Sequence, residues 1–211
     1  RTIKIDSSLG GMTVNSNDIQ IDSFTDKLDL GGGITVPENR ERITIDASSL
    51  SSTLFTLNGN AIKFSNLDID LKSVSATGGA FNISGLSNGV ILTSISITFS
   101  GSITATGGGI YNAGHGTILT DVSIIASNAS STGDGGGIYN DAGASITMKG
   151  GEVKNFTMTG SGGGIYNAGS LVFDSYTDAD GKVYEVKISG NSAANGGGIY
   201  NAAGAVLEMN G

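Results

Sequence analysis

GGGIYNAG, residues 107–114, is the stretch that decides the fold, because the chain repeats it with small changes. Further copies are GGGIYNDAG from residue 135, GGGIYNAG from residue 162 and GGGIYNAAG from residue 196. A looser copy, GGAFN, occupies residues 78–82. The copies follow one another at about 28 residues, with a longer interval before the last. Such a period is typical of solenoids, in which each repeat adds one layer to a stack.

Two further strand-like runs follow each copy of the motif. After residue 112 these are TILT (117–120) and VSIIA (122–126), with polar residues between the runs. Apolar residues alternate with period two, and helical periodicity is weak. Strands this short cannot bury a core within one unit, so the units have to stack. The sequence therefore predicts an all-β fold, a parallel β-helix with three strands in each coil.

The whole chain, 1–211, reads as one β-helix domain whose coil style changes near residue 77. Residues 78–211 carry the GGxxN repeats, and residues 1–77 carry strands of the type IxID instead. The aspartates that end these strands are Asp6, Asp22, Asp46 and Asp70.

An insertion explains the long interval before the last motif. Residues 171–189 read as two alternating strands joined at Asp180-Gly181, a favoured hairpin-turn dipeptide. We expect a surface hairpin that leaves the coil here. The last coil contains two strands after residue 196 and no third, so we expect its open edge to contact neighbouring β-helix coils or chains.

Stacking at about 4.8 Å places equivalent residues of successive coils above one another. Because side chains alternate along a strand, we expect an inward apolar ladder beside an outward aromatic ladder. At the strand end, asparagine amides can bond from coil to coil. The apolar ladder is Ala80, Ile110, Ile138, Ile165 and Ile199. The aromatic ladder is Phe81, Tyr111, Tyr139, Tyr166 and Tyr200. The asparagine ladder is Asn82, Asn112, Asn140, Asn167 and Asn201.

The aromatic ladder is the candidate binding surface. Outward rings at coil spacing would form a flat amphipathic strip for stacking sugars or a partner protein. The alternative is that the rings only stack on one another or lie under a turn.

The GGGIYN repeats resemble those of the polymorphic outer membrane proteins and of β-helix adhesins and autotransporter passengers. The resemblance covers residues 78–211 well and residues 1–77 loosely. It implies a right-handed parallel β-helix at the cell surface or outside the cell. The companion FxxN motif of that family is nearly absent, with Phe55-Thr56-Leu57-Asn58 as the one match.

Three groups of residues are candidate chemical sites. The GHG at 114–116 superficially resembles a galacturonase element, but other repeats have Ala or Ser where His115 stands. If Asp22, Asp46 and Asp70 stack, they could share a cation or act as acid and base; the alternative is that each accepts a turn N–H. The loop DSYTDADG (174–181) misses the offsets of a calcium loop and reads better as the hairpin turn.

Composition narrows the function further. The net charge of −8 argues against nucleic acid as a partner, and no apolar run approaches the roughly 18 residues of a membrane span. The chain has no cysteine, which excludes disulfides and thiol catalysis. We expect a non-catalytic, cofactor-free adhesin or stalk segment. The alternatives are a pectinase-like polysaccharide lyase or hydrolase, and a self-assembling extracellular filament subunit.

Overall fold

A computed structural model gives the fold and describes residues 2–4, 12–14, 20–22, 43–50, 52–127 and 130–210. Within these ranges the chain forms strands, turns and bends and no helix. The strands stack in parallel as a β-solenoid of about five turns. The predicted fold class, an all-β parallel β-helix, is confirmed. Asp6 lies outside the described residues.

The described strands follow one another in chain order with short connections. The first part contains β1 (Thr2–Lys4), β2 (Met12–Val14), β3 (Gln20–Asp22), β4 (Ile43–Ala47), β5 (Phe55–Leu57), β6 (Lys63–Leu71), β7 (Phe81–Ile83) and β8 (Ile91–Phe99). The middle contains β9 (Ile110–Asn112), β10 (Thr117–Ala126), β11 (Ser130–Ser131), β12 (Ile138–Asn140), β13 (Ser145–Lys154) and β14 (Thr157–Met158). The last part contains β15 (Ile165–Asn167), β16 (Ser170–Asp174), β17 (Tyr176–Thr177), β18 (Val183–Tyr184), β19 (Val186–Ser189), β20 (Ile199–Asn201) and β21 (Val206–Asn210).

Two parallel sheets and a narrow third face form the walls of the solenoid. The motif sheet joins β2, β5, β7, β9, β12, β15 and β20, in that order. The long sheet runs β1, β4, β6, β8, β10, β13, β16, β21, with β3 paired to β6 and β19 paired to β13. The third face consists of the β11–β14 pair and isolated bridges such as Val74 to Ile103.

In the coils of β8, β10 and β13 the second and third expected strands are one continuous strand with a bend. In β8 the bend is at Ser94, whose φ is +51°, and in β10 it is at Asp121, whose φ is +52°. Two successive residues face outward at this point, so the alternation changes phase. The phase change lets Leu92 and Ile95, on either side of the bend, both point into the core. Left-handed backbone at a residue other than glycine gives no clear sequence signal.

The glycines of the motif are needed for backbone shape and for close stacking. The first, as in Gly135, has a φ of +63°, which glycine adopts without strain. The second approaches the next coil, where a Cβ on Gly108 would lie 2.5 Å from the carbonyl oxygen of Gly136. A side chain at the second position would therefore push two coils apart.

The core is a column of apolar side chains enclosed by the sheets. In the early coils Phe55, Phe64 and Phe81 pack ring against ring, with centroids 4.9 to 5.3 Å apart. In later coils Ile110 and Ile138 take the inward position and are fully buried. Burying such a side chain contributes about 1.5–3 kcal/mol, so each coil is stabilised mainly by its contact with the coils on either side.

The insertion before the last motif is narrower than the expected 171–189. Only β17 and β18 leave the coil as an antiparallel pair, and the tip at Gly181 has a φ of +79°. The flanking strands β16 and β19 remain in the long sheet, where both pair with β13.

Candidate functional site

The tyrosines of the motif form a continuous outward column on the motif sheet. In each of β9, β12, β15 and β20 the tyrosine stands between an inward isoleucine and an asparagine. Strand pairing puts Tyr111 opposite Tyr139, Tyr139 opposite Tyr166, and Tyr166 opposite Tyr200. The side chains of all four are partly exposed. We call these four residues the tyrosine ladder.

Phe81 does not belong to this ladder, and its assignment as a binding residue is wrong. The structure pairs Phe81 with Ile110 and Asn82 with Tyr111, one residue away from the expected register. Phe81 is fully buried in the core. The reason is that Gly78, with a φ of +64°, corresponds to the first glycine of GGGIYN, and Ala80 stands in place of the third.

The same shift corrects the other two ladders. The inward apolar column is Phe81, Ile110, Ile138, Ile165 and Ile199 rather than one that begins at Ala80. The asparagine column begins at Asn112, because the preceding coil has Ile83 in that position.

The tyrosine rings stack face to face along the solenoid. Ring centroids lie 5.4 Å apart between Tyr111 and Tyr139 and 4.6 Å apart between Tyr139 and Tyr166, with interplanar angles of 9° and 3°. Tyr166 and Tyr200 follow at 5.2 Å and 28°. Each inner ring therefore has both faces covered by its neighbours. The ladder presents ring edges and hydroxyl groups to solvent, and not the flat strip of ring faces that the sequence led us to expect.

Two carboxylates flank the ladder in the coil of Tyr139. The hydroxyl of Tyr111 donates a hydrogen bond of 2.6 Å to Oδ2 of Asp141. On the other side Asp134 accepts a bond of 2.6 Å from the backbone N–H of Ser161. Partial burial, the hydrogen bond to Asp141 and the negative charge of Asp141 raise the pKa of Tyr111 to about 12. Sequence reasoning missed both aspartates, although GGGIYNDAG is the one full copy with an acidic residue after the asparagine.

The pKa values of Tyr139 and Tyr166 are raised as well. For Tyr139 the causes are burial, then the neighbouring Tyr166 and the two carboxylates. For Tyr166 burial comes first and the charge of Asp134 second. Tyr111, Tyr139 and Tyr166 therefore stay neutral well above physiological pH.

The asparagine ladder is confirmed from Asn112 to Asn201, and its middle lies inside the protein. The Nδ2 group of Asn112 donates to Oδ1 of Asn140 at 2.8 Å, and Asn140 donates to Asn167 at 2.8 Å. Asn167 donates to Asn201 at 2.6 Å. Asn112, Asn140 and Asn167 are fully buried.

Every amide in this ladder points the same way. Thr117 starts the series by donating to Oδ1 of Asn112. The second proton of each amide goes to a backbone carbonyl, such as that of Ser170 for Asn140 at 3.0 Å. Aligned hydrogen bonds polarise one another, so the ladder is a connected network and not a set of independent pairs.

The aspartates of the IxID strands do not form the expected stack of three. Asp46 pairs with Asp70 across the long sheet, but Asp22 lies opposite Ser65. The expected stack is wrong for Asp22 because β3 and β4 both pair with β6, at different positions along it. Oδ1 of Asp70 accepts a hydrogen bond from Thr98, and Oδ1 of Asp46 accepts one from the N–H of Ser48.

The remaining candidates occupy turns. His115 is exposed, and its backbone N–H and C=O bond to the turn of the preceding coil. Oδ1 of Asp178 accepts the N–H groups of Asp180 and Lys182 within the hairpin, and these bonds lower its pKa. Across the described part of the chain, no three or more His, Cys, Asp or Glu side chains are grouped so as to hold a metal ion.

The described residues contain no helix long and apolar enough to cross a membrane. Comparison of the chain with protein-family models, with curated proteins and with solved structures finds no match in any of the three.

Proposed function

We propose that the chain is a non-catalytic β-helix segment of an extracellular or cell-surface protein, a stalk or adhesin that presents a repetitive surface. The observation that carries the proposal is the use of the repeated polar side chains. The amide protons and the side-chain oxygen of Asn140 are all used in hydrogen bonds to asparagines of other coils and to a backbone carbonyl. The ring of Tyr139 stacks with Tyr111 on one face and with Tyr166 on the other. Side chains that bind the equivalent residues of adjacent coils hold the coils together and stiffen the solenoid.

The repeats support this proposal by their resemblance to bacterial surface β-helices, which share the Gly-Gly-apolar motif. Because the chain has no cysteine, an extracellular spacer made of it has to keep its shape without disulfides. The hydrogen-bonded ladder that runs from coil to coil supplies that stiffness instead.

A ligand of the tyrosine ladder would meet hydroxyl groups and ring edges. A row of hydroxyl groups can form hydrogen bonds to the hydroxyls of a carbohydrate or to the backbone of a partner protein. The test is binding of glycan and protein arrays to the parent chain and to a variant with Tyr139→Phe and Tyr166→Phe. This variant keeps both rings and loses both hydroxyls. Binding that is equal in the two proteins would remove the ladder from the proposal.

Contact with further β-helix coils, of this or another chain, belongs to the same proposal. Val206 and Met209 of the last described coil are exposed apolar residues beside the backbone edge of β21. Analytical ultracentrifugation over a range of concentrations tests this part. A weight-average mass that rises with concentration supports it, and a constant monomer mass contradicts it.

The polysaccharide-degrading alternative predicts turnover, which the proposal does not. The chain is incubated with a panel of uronate-containing and neutral polysaccharides, and new reducing or unsaturated ends are measured. We expect none. Release of new ends that disappears in Asp46→Ala or His115→Ala, with the fold intact by circular dichroism, would refute the non-catalytic proposal.

A further inference from the structure

The first and the last described layers of the solenoid contain the same three strands in the same order. β1 lies in the long sheet after the bend, β2 lies in the motif sheet, and β3 lies in the long sheet before the bend. β19, β20 and β21 occupy the corresponding three places at the other end. Among the described strands, each of these six has a neighbour on one side only. We call β1–β3 the head layer and β19–β21 the tail layer.

We infer that the tail layer receives the head layer of a second copy, so that copies stack head to tail into one continuous solenoid. The inference rests on the contact with further coils proposed above, and it names the partner. Unpaired strand edges accept further strands, and an interface between two different surfaces of one protein leaves a free surface at each end. Every strand pair within the long and motif sheets is parallel, and head-to-tail stacking continues this parallel pairing.

Three apolar columns run through the core from the head layer to the tail layer. Each column follows the register of the strand pairs from coil to coil, and its members between the two layers are buried. The columns join Ile3 to Ile188, Met12 to Ile199, and Ile21 to Met209. A second copy stacked with no shift in register would therefore continue all three columns at once, about 4.8 Å further along the solenoid.

The tail layer exposes apolar surface that such a copy would cover. Met209 is 68% exposed, whereas Phe173, which precedes it in the same column, is only 9% exposed. A cavity of about 340 Å³ lies beside Met209, and Phe173, Val183 and Val186 contribute to its walls. Ile21 of a second copy, stacked on Met209, would lie next to this cavity. The arriving layer would thus bury apolar side chains that the tail layer leaves open to water.

The head layer matches the tail layer in the motif sheet as well. Within the chain, the Phe-Asn-Ile of β7 already stacks on the Ile-Tyr-Asn of β9. β2 has the same order of apolar, polar and aliphatic residues, Met-Thr-Val, to place on the Ile-Tyr-Asn of β20. The junction between two copies therefore repeats a contact that the solenoid makes between two of its own coils.

A complementation experiment with two variants tests the direction of stacking. Met209→Asp puts a charge into the tail layer, and Ile21→Asp puts one into the head layer. Either variant alone has one working layer and should remain a monomer in analytical ultracentrifugation, at concentrations where the parent chain associates. In an equimolar mixture, the head of the Met209→Asp copy can bind the tail of the Ile21→Asp copy. We expect the mixture to reach twice the monomer mass and no more.

The control is Leu86→Asp, since Leu86 is 82% exposed and lies outside both layers; we expect it to associate like the parent chain. Circular dichroism checks the fold of each variant. Local unwinding of β3 by Ile21→Asp would not spoil the test, because this variant supplies only its tail layer to the mixture.

Two results would overturn the inference and leave contact with further coils standing. One is a monomeric mixture, and the other is association of Ile21→Asp alone, which would indicate that tail layers pair with each other. A parent chain that stays monomeric at all concentrations would overturn both. The polysaccharide assay tests the non-catalytic proposal separately.

Discussion

Replacing Asn140 by leucine tests how much the buried asparagine ladder contributes to stability. The position accepts an aliphatic side chain, because Leu57 and Ile83 occupy the same column in earlier coils. The substitution leaves Oδ1 of Asn167 and the carbonyl of Ser170 without the amide that now bonds them. A buried acceptor without its partner costs about 1–3 kcal/mol. Two such acceptors cost about 2–6 kcal/mol and burial of the leucine offsets about 1.5–3 kcal/mol, so we expect a net loss of about 2 kcal/mol.

The matched control is Asn201→Leu at the exposed end of the ladder. Asn167 then loses one acceptor but keeps the carbonyl of Val206 at 2.8 Å, so the loss should stay below about 1 kcal/mol. Guanidinium unfolding is followed by far-UV circular dichroism and by tyrosine fluorescence, since the chain has no tryptophan. Coincidence of the two signals checks the two-state assumption, which long repeats can violate. If Asn140→Leu costs no more than Asn201→Leu, the ladder does not stabilise the core and our reasoning is wrong.

Three further predictions concern the backbone and pH. Ala61 has a φ of +52° at the position where the next coils have Gly89 and Gly116. Ala61→Gly should therefore raise the free energy of guanidinium unfolding by up to about 1 kcal/mol. A lower unfolding free energy would contradict this. Gly108→Ala should lower the unfolding free energy by more than about 3 kcal/mol, because the new Cβ would lie 2.5 Å from the Gly136 oxygen. The control Gly143→Ala has no atom within 4 Å of its new Cβ and should cost only about 1 kcal/mol, for its φ of +79°. Equal melting temperatures of the two variants would refute the close-approach argument. The pKa of Tyr111 is about 12 in the folded protein and 10.0 when unperturbed, so on raising the pH the unfolded state loses this proton first. The contribution of Tyr111 to the unfolding free energy is therefore complete below pH 10 and is lost between pH 10 and 12. The unfolding free energy should fall less over this range in Tyr111→Phe, and identical pH profiles would speak against it.

The sequence predicts the coil and the asparagine ladder because a parallel solenoid repeats its contacts with its period. Once one coil is aligned with the next, Asn112 must stand above Asn140, and the amides then meet. Alignment is least certain where the motif is degenerate. In GGAFN the two glycines can match either pair in GGG, and the choice decides whether Phe81 or Asn82 faces the solvent. The structure settles it by the left-handed backbone at Gly78, which no composition rule marks.

Details that depend on three-dimensional geometry were not readable from the repeats. The bend at Ser94 requires a left-handed residue other than glycine, so three expected strands appear as two. The pairing of β3 and β4 with one strand separates Asp22 from Asp46, although the intervals suggested a common column. Spacing predicts that the tyrosines form a column, but the orientation of their rings depends on rotamers. The bond from Tyr111 to Asp141 joins residues of adjacent coils and follows only from the register.

The most direct test of the central claim, that GGGIYN is one layer of a hydrogen-bonded stack, is side-chain amide exchange by nuclear magnetic resonance. In Asn140 both Nδ2 protons are engaged, one with Asn167 and one with the Ser170 carbonyl. We predict that both exchange as slowly as the backbone N–H of the buried Ile138, while those of the exposed Asn201 exchange rapidly. Fast exchange at Asn140, in a protein whose backbone amides are protected, would contradict the account.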